Sequence, residues 1–207
     1  MSEAENVVTP PSHVAGRWLQ TPVGRLVVFF TLLKLFQWFE GYVWTGLGLP
    51  AGFVPFRDTT PLMETLRLWP IVLAYWLLVR RVERRRIDEL SPAKAVPHVL
   101  LGLAGGALCF SLIVAALWAL GAFVVDGVNR DVDWLGPVLV MGAGAGIGEE
   151  IISRGVLFRI IEEGLGTWVA LLASAAVFGG LHIWNPNATA WSALAIALEA
   201  GLLFGLL

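Results

Sequence analysis

Residues 167–184 read TWVALLASAAVFGGLHIW, eighteen positions with one histidine and no Asp, Glu, Lys or Arg. Crossing about 30 Å of hydrocarbon at 1.5 Å per residue takes about 20 mostly apolar residues, so this stretch is predicted to be a membrane-spanning helix. Trp168 and Trp184 bracket it where interfacial tryptophans anchor a span.

Working outward, further windows of the same kind run from about Val23 to Leu49, Pro61 to Val79, Val96 to Val125, Trp134 to Glu163, and from about Ala188 onward. The Gly-Pro-rich stretch from Gly48 to Pro55 punctuates the first of them. The expected fold is therefore all-α, a polytopic transmembrane bundle of about six helices over residues 23–207. Residues 1–22, with Glu3, Glu5 and the pair Pro10 and Pro11, read as a disordered tail rather than a cleaved signal.

Composition supports the same class. Hydrophobic residues make up 57% of the 207 and charged ones 14%, against about 25% charged in soluble domains. A net charge of −2 provides no basic field for nucleic acid, which is excluded as a partner. Cys109 is the single cysteine and lies in an apolar run, so a disulfide framework or a Cys-based zinc site cannot form within one chain. The cluster Arg80, Arg81, Arg84, Arg85, Arg86 and Lys94 marks a cytoplasmic loop, which places the N-terminus inside and the loop from Asp126 to Asp133 outside. A lipid-headgroup site is the sharper alternative for that cluster.

Ionisable groups within apolar helices are candidate functional residues. Lys34 and Glu40 share the first window, Glu64 and Arg67 are spaced to pair in the second, and Glu199 is alone in the last. The most informative run is GAGAGIGEEIISRG over residues 142–155. Gly142 with Gly146, and Gly144 with Gly148, form a small-residue face suited to close helix approach. Glu150 and Arg154 are i and i+4, the favourable order for an ion pair. Glu149 points about 100° away and stays free to face a cavity as a base that activates water. The alternative is an ion-pair staple with a spare carboxylate. Glu162 and Glu163, with Arg159 just before them, are expected to form a solvated helix end without a catalytic role.

His13 lies in the tail and His98 near the start of the third window, leaving His182 within an apolar segment. If the chain reverses at Gly164 to Gly166, Glu149 and His182 each lie about 16 residues from the turn, at a shared depth of roughly 25 Å. They are expected to be neighbours.

Glu149-Glu150-x-x-x-Arg154 followed by Phe178-x-x-x-His182 resembles the first two motifs of the CPBP intramembrane proteases, the group of the type II CAAX prenyl endopeptidases and Abi-like proteins. The resemblance covers roughly residues 134–207, the expected protease-like core. It implies hydrolysis of a peptide bond in a membrane-anchored peptide or protein, within the lipid bilayer. Glu149 would be the general base and His182 would hold the water or a metal. Glu150 and Arg154 would brace the helix, and Phe178 would line the cavity. The family is described as metalloproteases, with a metal-free, Glu-activated water also proposed, so a divalent metal such as zinc on Glu149 and His182 is the conditional cofactor. The family's third motif, a His or Phe with an Asn four residues on, has no counterpart after His182. Asn185 and Asn187 have the wrong spacing, and the run ending at Leu207 suggests a truncated chain with a half-built, inactive site. A multi-pass protein of a bacterial-type plasma membrane is expected. A non-catalytic scaffold or bacteriocin-immunity-type protein is the main alternative, and a proton-coupled transporter using Glu40, Glu149 and Glu199 a third.

Overall fold

The computed structural model describes residues 18–48, 68–87, 92–132, 134–138, 142, 144, 146–202 and 205, with side chains placed at all of these except 92–95 and 135. The regular secondary structure among the described residues is all helical, with no strand. The proposed pair Glu64 and Arg67, and His13, lie outside the described residues.

The chain divides into two units, 1–84 with 135–207, and 85–134. In the first, helix α1 spans Pro22–Gly46. Thr21 caps it by accepting from the Gly24 backbone N–H, with Pro22 at the first helical position, where no N–H is needed. Helix α2 runs over Trp69–Leu77 and continues as a wider π-turn over Leu78–Val82. Helix α4 comprises Ile147–Glu150, a π-helical stretch Ile151–Phe158, and Arg159–Leu165. Gly166, at φ 84°, reverses the chain into α5, Thr167–Leu181, which tightens to a 3-10 turn over His182–Trp184. Helix α6 spans Ala190–Ile196 and Ala197–Leu202, opened by a reciprocal cap between Thr189 and Ser192.

In the second unit, helix α3 covers Pro92–Ala119. It ends about six residues before the expected limit at Val125 because Gly121 takes φ 71°. The Gly121 and Ala122 N–H groups then bond back to the Trp118 and Leu117 carbonyls, a Schellman closure.

Among the described residues, three helical stretches are long and apolar enough to cross a membrane: Pro22–Gly46, Val96–Ala119 and Thr167–Trp184. The core of the first unit joins α1, α2, α4 and α5 through Phe29, Leu33, Tyr75, Leu78, Val156, Ile160, Leu171 and Phe178.

The tightest packing lies between α5 and α6. A Cβ on Gly201 would lie 2.8 Å from Ala175 Cα, and one on Gly179 would lie 2.9 Å from Ala197 Cα and run into the Ala193 carbonyl oxygen. Ala175 and Gly179 thus face Ala193, Ala197 and Gly201, small residues four apart on both helices. In the glycine run before Glu149, Gly148 meets Leu68 and Ile71 of the α2 region, whereas a Cβ on Gly142 would meet nothing within 4 Å among the described residues.

Candidate active site at the open end of the α4–α5 hairpin

Two ends of the α4–α5 hairpin carry charge. At the turn end, Gly164 lies against Pro22, and Gln20 donates to the Val82 carbonyl, so the start of α1, the end of α2 and the hairpin turn share one end of the unit. A four-residue network joins them. Arg25 bonds Glu163 at 2.5 Å and pairs with Glu83 at 3.4 Å, while Arg159 reaches Glu83 at 2.9 Å and Glu163 at 3.1 Å. The Glu83 side chain is only 5% exposed. Glu162 accepts from the Thr167 hydroxyl across the turn. The expected solvated helix end is therefore a neutral cross-brace. The sequence reading missed Arg25, whose signal was a charge set one turn into an apolar helix.

At the opposite end, Glu149 and His182 line one cavity of about 170 Å³ together with Ile152, Ser153, Phe178, Leu181 and Asn185. Hairpin depth brings the acid and the imidazole together. Glu149 sits just before the π-helical stretch of α4, and His182 follows the last regular turn of α5. Among the described residues Glu149 has no ion-pair or hydrogen-bond partner.

Glu150 turns away from the cavity and pairs with Arg154 at 3.1 Å, as the i, i+4 spacing predicts. Arg154 does more than hold Glu150, whose side chain is half exposed. Its guanidinium donates to the Ala200 carbonyl of α6 at 3.1 Å and lies 5.4 Å from the Phe178 ring centroid, joining α4, α5 and α6. Phe178 in turn packs on the His182 ring at 4.8 Å.

His182 Nδ1 lies 2.7 Å from the Phe178 carbonyl oxygen. A carbonyl only accepts, so Nδ1 carries the proton, and in the neutral imidazole Nε2 is left as a lone pair. The acid and the imidazole thus both offer acceptors. That arrangement suits a water donating one O–H to each, or a cation.

A catalytic zinc takes three protein ligands and keeps one open position. Among the described residues no group of three or more His, Cys, Asp or Glu side chains converges. The pair alone does not complete such a site, and no chemical step below is routed through a metal. Lys34, Glu40 and Glu199 do not line the cavity, and Lys34 and Glu199 lie on exposed faces. Asn185, set aside on spacing, does line it.

Residues 131–207 match the family model of the Rce1-like type II CAAX prenyl endopeptidases. The match upholds the resemblance read from the two motifs, and it contains every residue that lines the cavity. No curated protein and no solved structure matches the chain.

Proposed function

From the Rce1-like character of residues 131–207, we propose that the protein is an intramembrane endopeptidase that hydrolyses a peptide bond in a membrane-associated substrate. The observation that carries this reading is the meeting of an unpartnered Glu149 and the Nε2 side of His182 in one small, mostly apolar cavity.

A water there donates one hydrogen to the Glu149 carboxylate and the other to His182 Nε2, which turns an oxygen lone pair toward the substrate. As the oxygen attacks the carbonyl carbon, Glu149 takes the proton. When the C–N bond breaks, Glu149 delivers that proton to the leaving nitrogen, and the enzyme returns to its starting state. Phe178 holds the His182 ring by a tilted ring contact and by its own carbonyl. Arg154 holds Phe178. A divalent metal remains an alternative partner for Glu149 and His182, one that needs a further ligand from the substrate or from elsewhere in the chain.

The Arg80, Arg81 and Arg84 end is read as cytoplasmic. The cavity then lies in the outer half of the bilayer, in a multi-pass protein of a bacterial-type plasma membrane with its N-terminus inside. Substrates would be membrane-anchored peptides whose scissile bond reaches that depth.

The test is cleavage in liposomes of single-span reporter peptides bearing a quenched fluorophore pair, alongside a prenylated peptide. Glu149→Gln and His182→Ala are each expected to lower the rate at least about 100-fold, the scale of removing a general base or its partner. Unchanged cleavage in either variant assigns the chemistry elsewhere. Absence of any reporter cleavage by the native protein favours the scaffold reading.

A further inference from the structure

We infer that the protein associates with a second copy of itself in the membrane through an ion pair between Lys34 on α1 of one copy and Glu199 on α6 of the other. Both groups stand on outward faces of apolar helices and have no partner among the described residues. Neither helix answers its own charge, because the residues three and four places from Lys34 and from Glu199 are all uncharged. Helix α3 carries no acid, and its basic groups Lys94 and His98 lie in its first two turns. An ionised group facing hydrocarbon is costly, so each of the two needs a counter-charge.

Depth identifies the counter-charge. Pro22, at the start of α1, lies against Gly164 of the hairpin turn, so α1 and α5 leave from one level. Lys34 is about 12 residues further on, about 18 Å at 1.5 Å per residue. The α5–α6 seam sets Gly201 against Ala175 and Gly179 against Ala197, so Glu199 is level with about Val177, about 11 residues and 16 Å from Gly166. The two opposite charges therefore share a depth near the middle of a hydrocarbon layer of about 30 Å, too far from either boundary for a snorkelling side chain. Within one chain α1 packs on α2 and α4 whereas α6 packs on α5, and the two groups do not pair with each other. Copies inserted in the same direction are related by rotation about the membrane normal, which leaves depth unchanged. A second copy thus presents the right sign at the right level, whereas a different protein would have to match both separately. The surfaces also fit. Lys34 is the one charge in a shallow groove of about 590 Å³ along α1, lined with Leu26, Val27, Phe30, Thr31 and Leu35, and Leu194 and Leu198 stand out on α6 beside Glu199.

The experiment is disulfide cross-linking of the full chain in liposomes, in a Cys109→Ser background. Chains carrying Leu35→Cys are mixed with chains carrying Leu198→Cys, which leaves both charges in place beside the new thiols. A cross-linked dimer is expected that persists as lipid dilutes the protein, and it is not expected when Trp191→Cys, two turns away on α6, replaces Leu198→Cys. Adding Lys34→Glu to every chain, or Glu199→Lys to every chain, is expected to lower the yield at least about 10-fold, since like charges then meet. The double exchange Lys34→Glu with Glu199→Lys is expected to restore it to within about 2-fold, as a direct pair requires. Lys34→Gln and Glu199→Gln, which put no new charge into the membrane, are expected to lower the yield while thermal unfolding in detergent stays as in the native protein. Absence of the dimer overturns the proposal and leaves these faces to lipid or to another protein. A dimer indifferent to all the charge variants, or equally abundant with Trp191→Cys, overturns it as well. Loss in the single reversals without recovery in the double exchange would give Lys34 and Glu199 separate partners, and would also overturn it.

Discussion

The two ends of the α4–α5 hairpin are built from the same residue types and differ in what is left over. At the turn end, Arg25 and Arg159 face Glu83 and Glu163, two positive charges against two negative. At the cavity end, Arg154 answers Glu150, and Glu149 remains without a counter-charge beside an imidazole lone pair. A cluster of carboxylates and arginines in a membrane helix is therefore not in itself a sign of chemistry. The unmatched acid is.

The sharpest way to break that comparison is to remove one acid from each end. Glu83 is buried and accepts from both arginines, so Glu83→Ala leaves two guanidinium groups sharing the single acid Glu163. Removing one partner from a buried pair costs about 3 to 5 kcal/mol. We expect a loss on that scale by chemical or thermal unfolding in detergent, with residual cleavage following the folded fraction. Glu149→Gln is expected to leave stability unchanged or to raise it, since a neutral amide suits an apolar cavity better than an unpaired carboxylate. Equal destabilisation by both variants would make Glu149 a structural acid.

Arg154 and Glu150 sharpen the picture within the cavity end. Arg154→Ala removes the bond to the Ala200 carbonyl and the contact with Phe178 as well as the pair with Glu150. A loss of about 2 to 3 kcal/mol is expected, from one charge-assisted hydrogen bond and one partly desolvated cation–π contact. Glu150→Gln should cost less than about 0.5 kcal/mol, because a half-exposed i, i+4 pair contributes little. A larger effect from Glu150 than from Arg154 would show that the brace runs along α4 rather than across to α6.

The seam between α5 and α6 supports the same wall. Gly201→Ala places a methyl group 2.8 Å from Ala175 Cα, a backbone atom that cannot turn aside as a flexible side chain would. Overpacking of this kind costs about 1 to 3 kcal/mol. The Ala200 carbonyl that anchors Arg154 moves with α6, so reduced cleavage in the folded fraction is expected beside the lower stability. A neutral outcome would mean that α6 is not needed to hold Phe178 and His182.

Much of this was legible in the sequence because it is local or arithmetical. The spans follow from apolar length. The Glu150–Arg154 pair follows from helical spacing, and the meeting of Glu149 with His182 follows from equal distances to a glycine turn. What was not legible depends on contacts far apart along the chain. Arg25 lies 58 residues from Glu83 and 138 from Glu163, and no periodicity within one helix indicates such partners. The close seam of α5 and α6 uses Ala175, Gly179, Ala193, Ala197 and Gly201, small residues at four-residue intervals on two helices, and neither helix alone specifies that they meet. Asn185 lines the cavity three residues after His182 because the chain tightens into a 3-10 turn there, a local geometry that helical spacing does not indicate.

The smallest expected effect tests whether the turn end is paired in solution as it is in the structure. Partial burial pushes the Glu163 carboxyl up, but the hydrogen bond from Arg25 and the charges of Arg25 and Arg159 outweigh it, holding the group below its ordinary value. Glu163 lies beside the hairpin turn, beyond the apolar part of α4, where protons reach it freely. A carboxylate depressed in the folded state binds its proton more readily in the unfolded chain, so its stabilising contribution is complete above the ordinary value of 4.5 and disappears as pH falls through the lower folded one. The melting temperature of the native protein is therefore expected to fall as pH drops below the ordinary value of 4.5, with a shallower slope in Glu163→Gln. Nearly half of the side chain is exposed, so solvent screening keeps the difference between the two slopes small. Identical slopes would mean that Arg25 and Arg159 hold Glu83 alone, and that Glu163 is the spare acid of its own end.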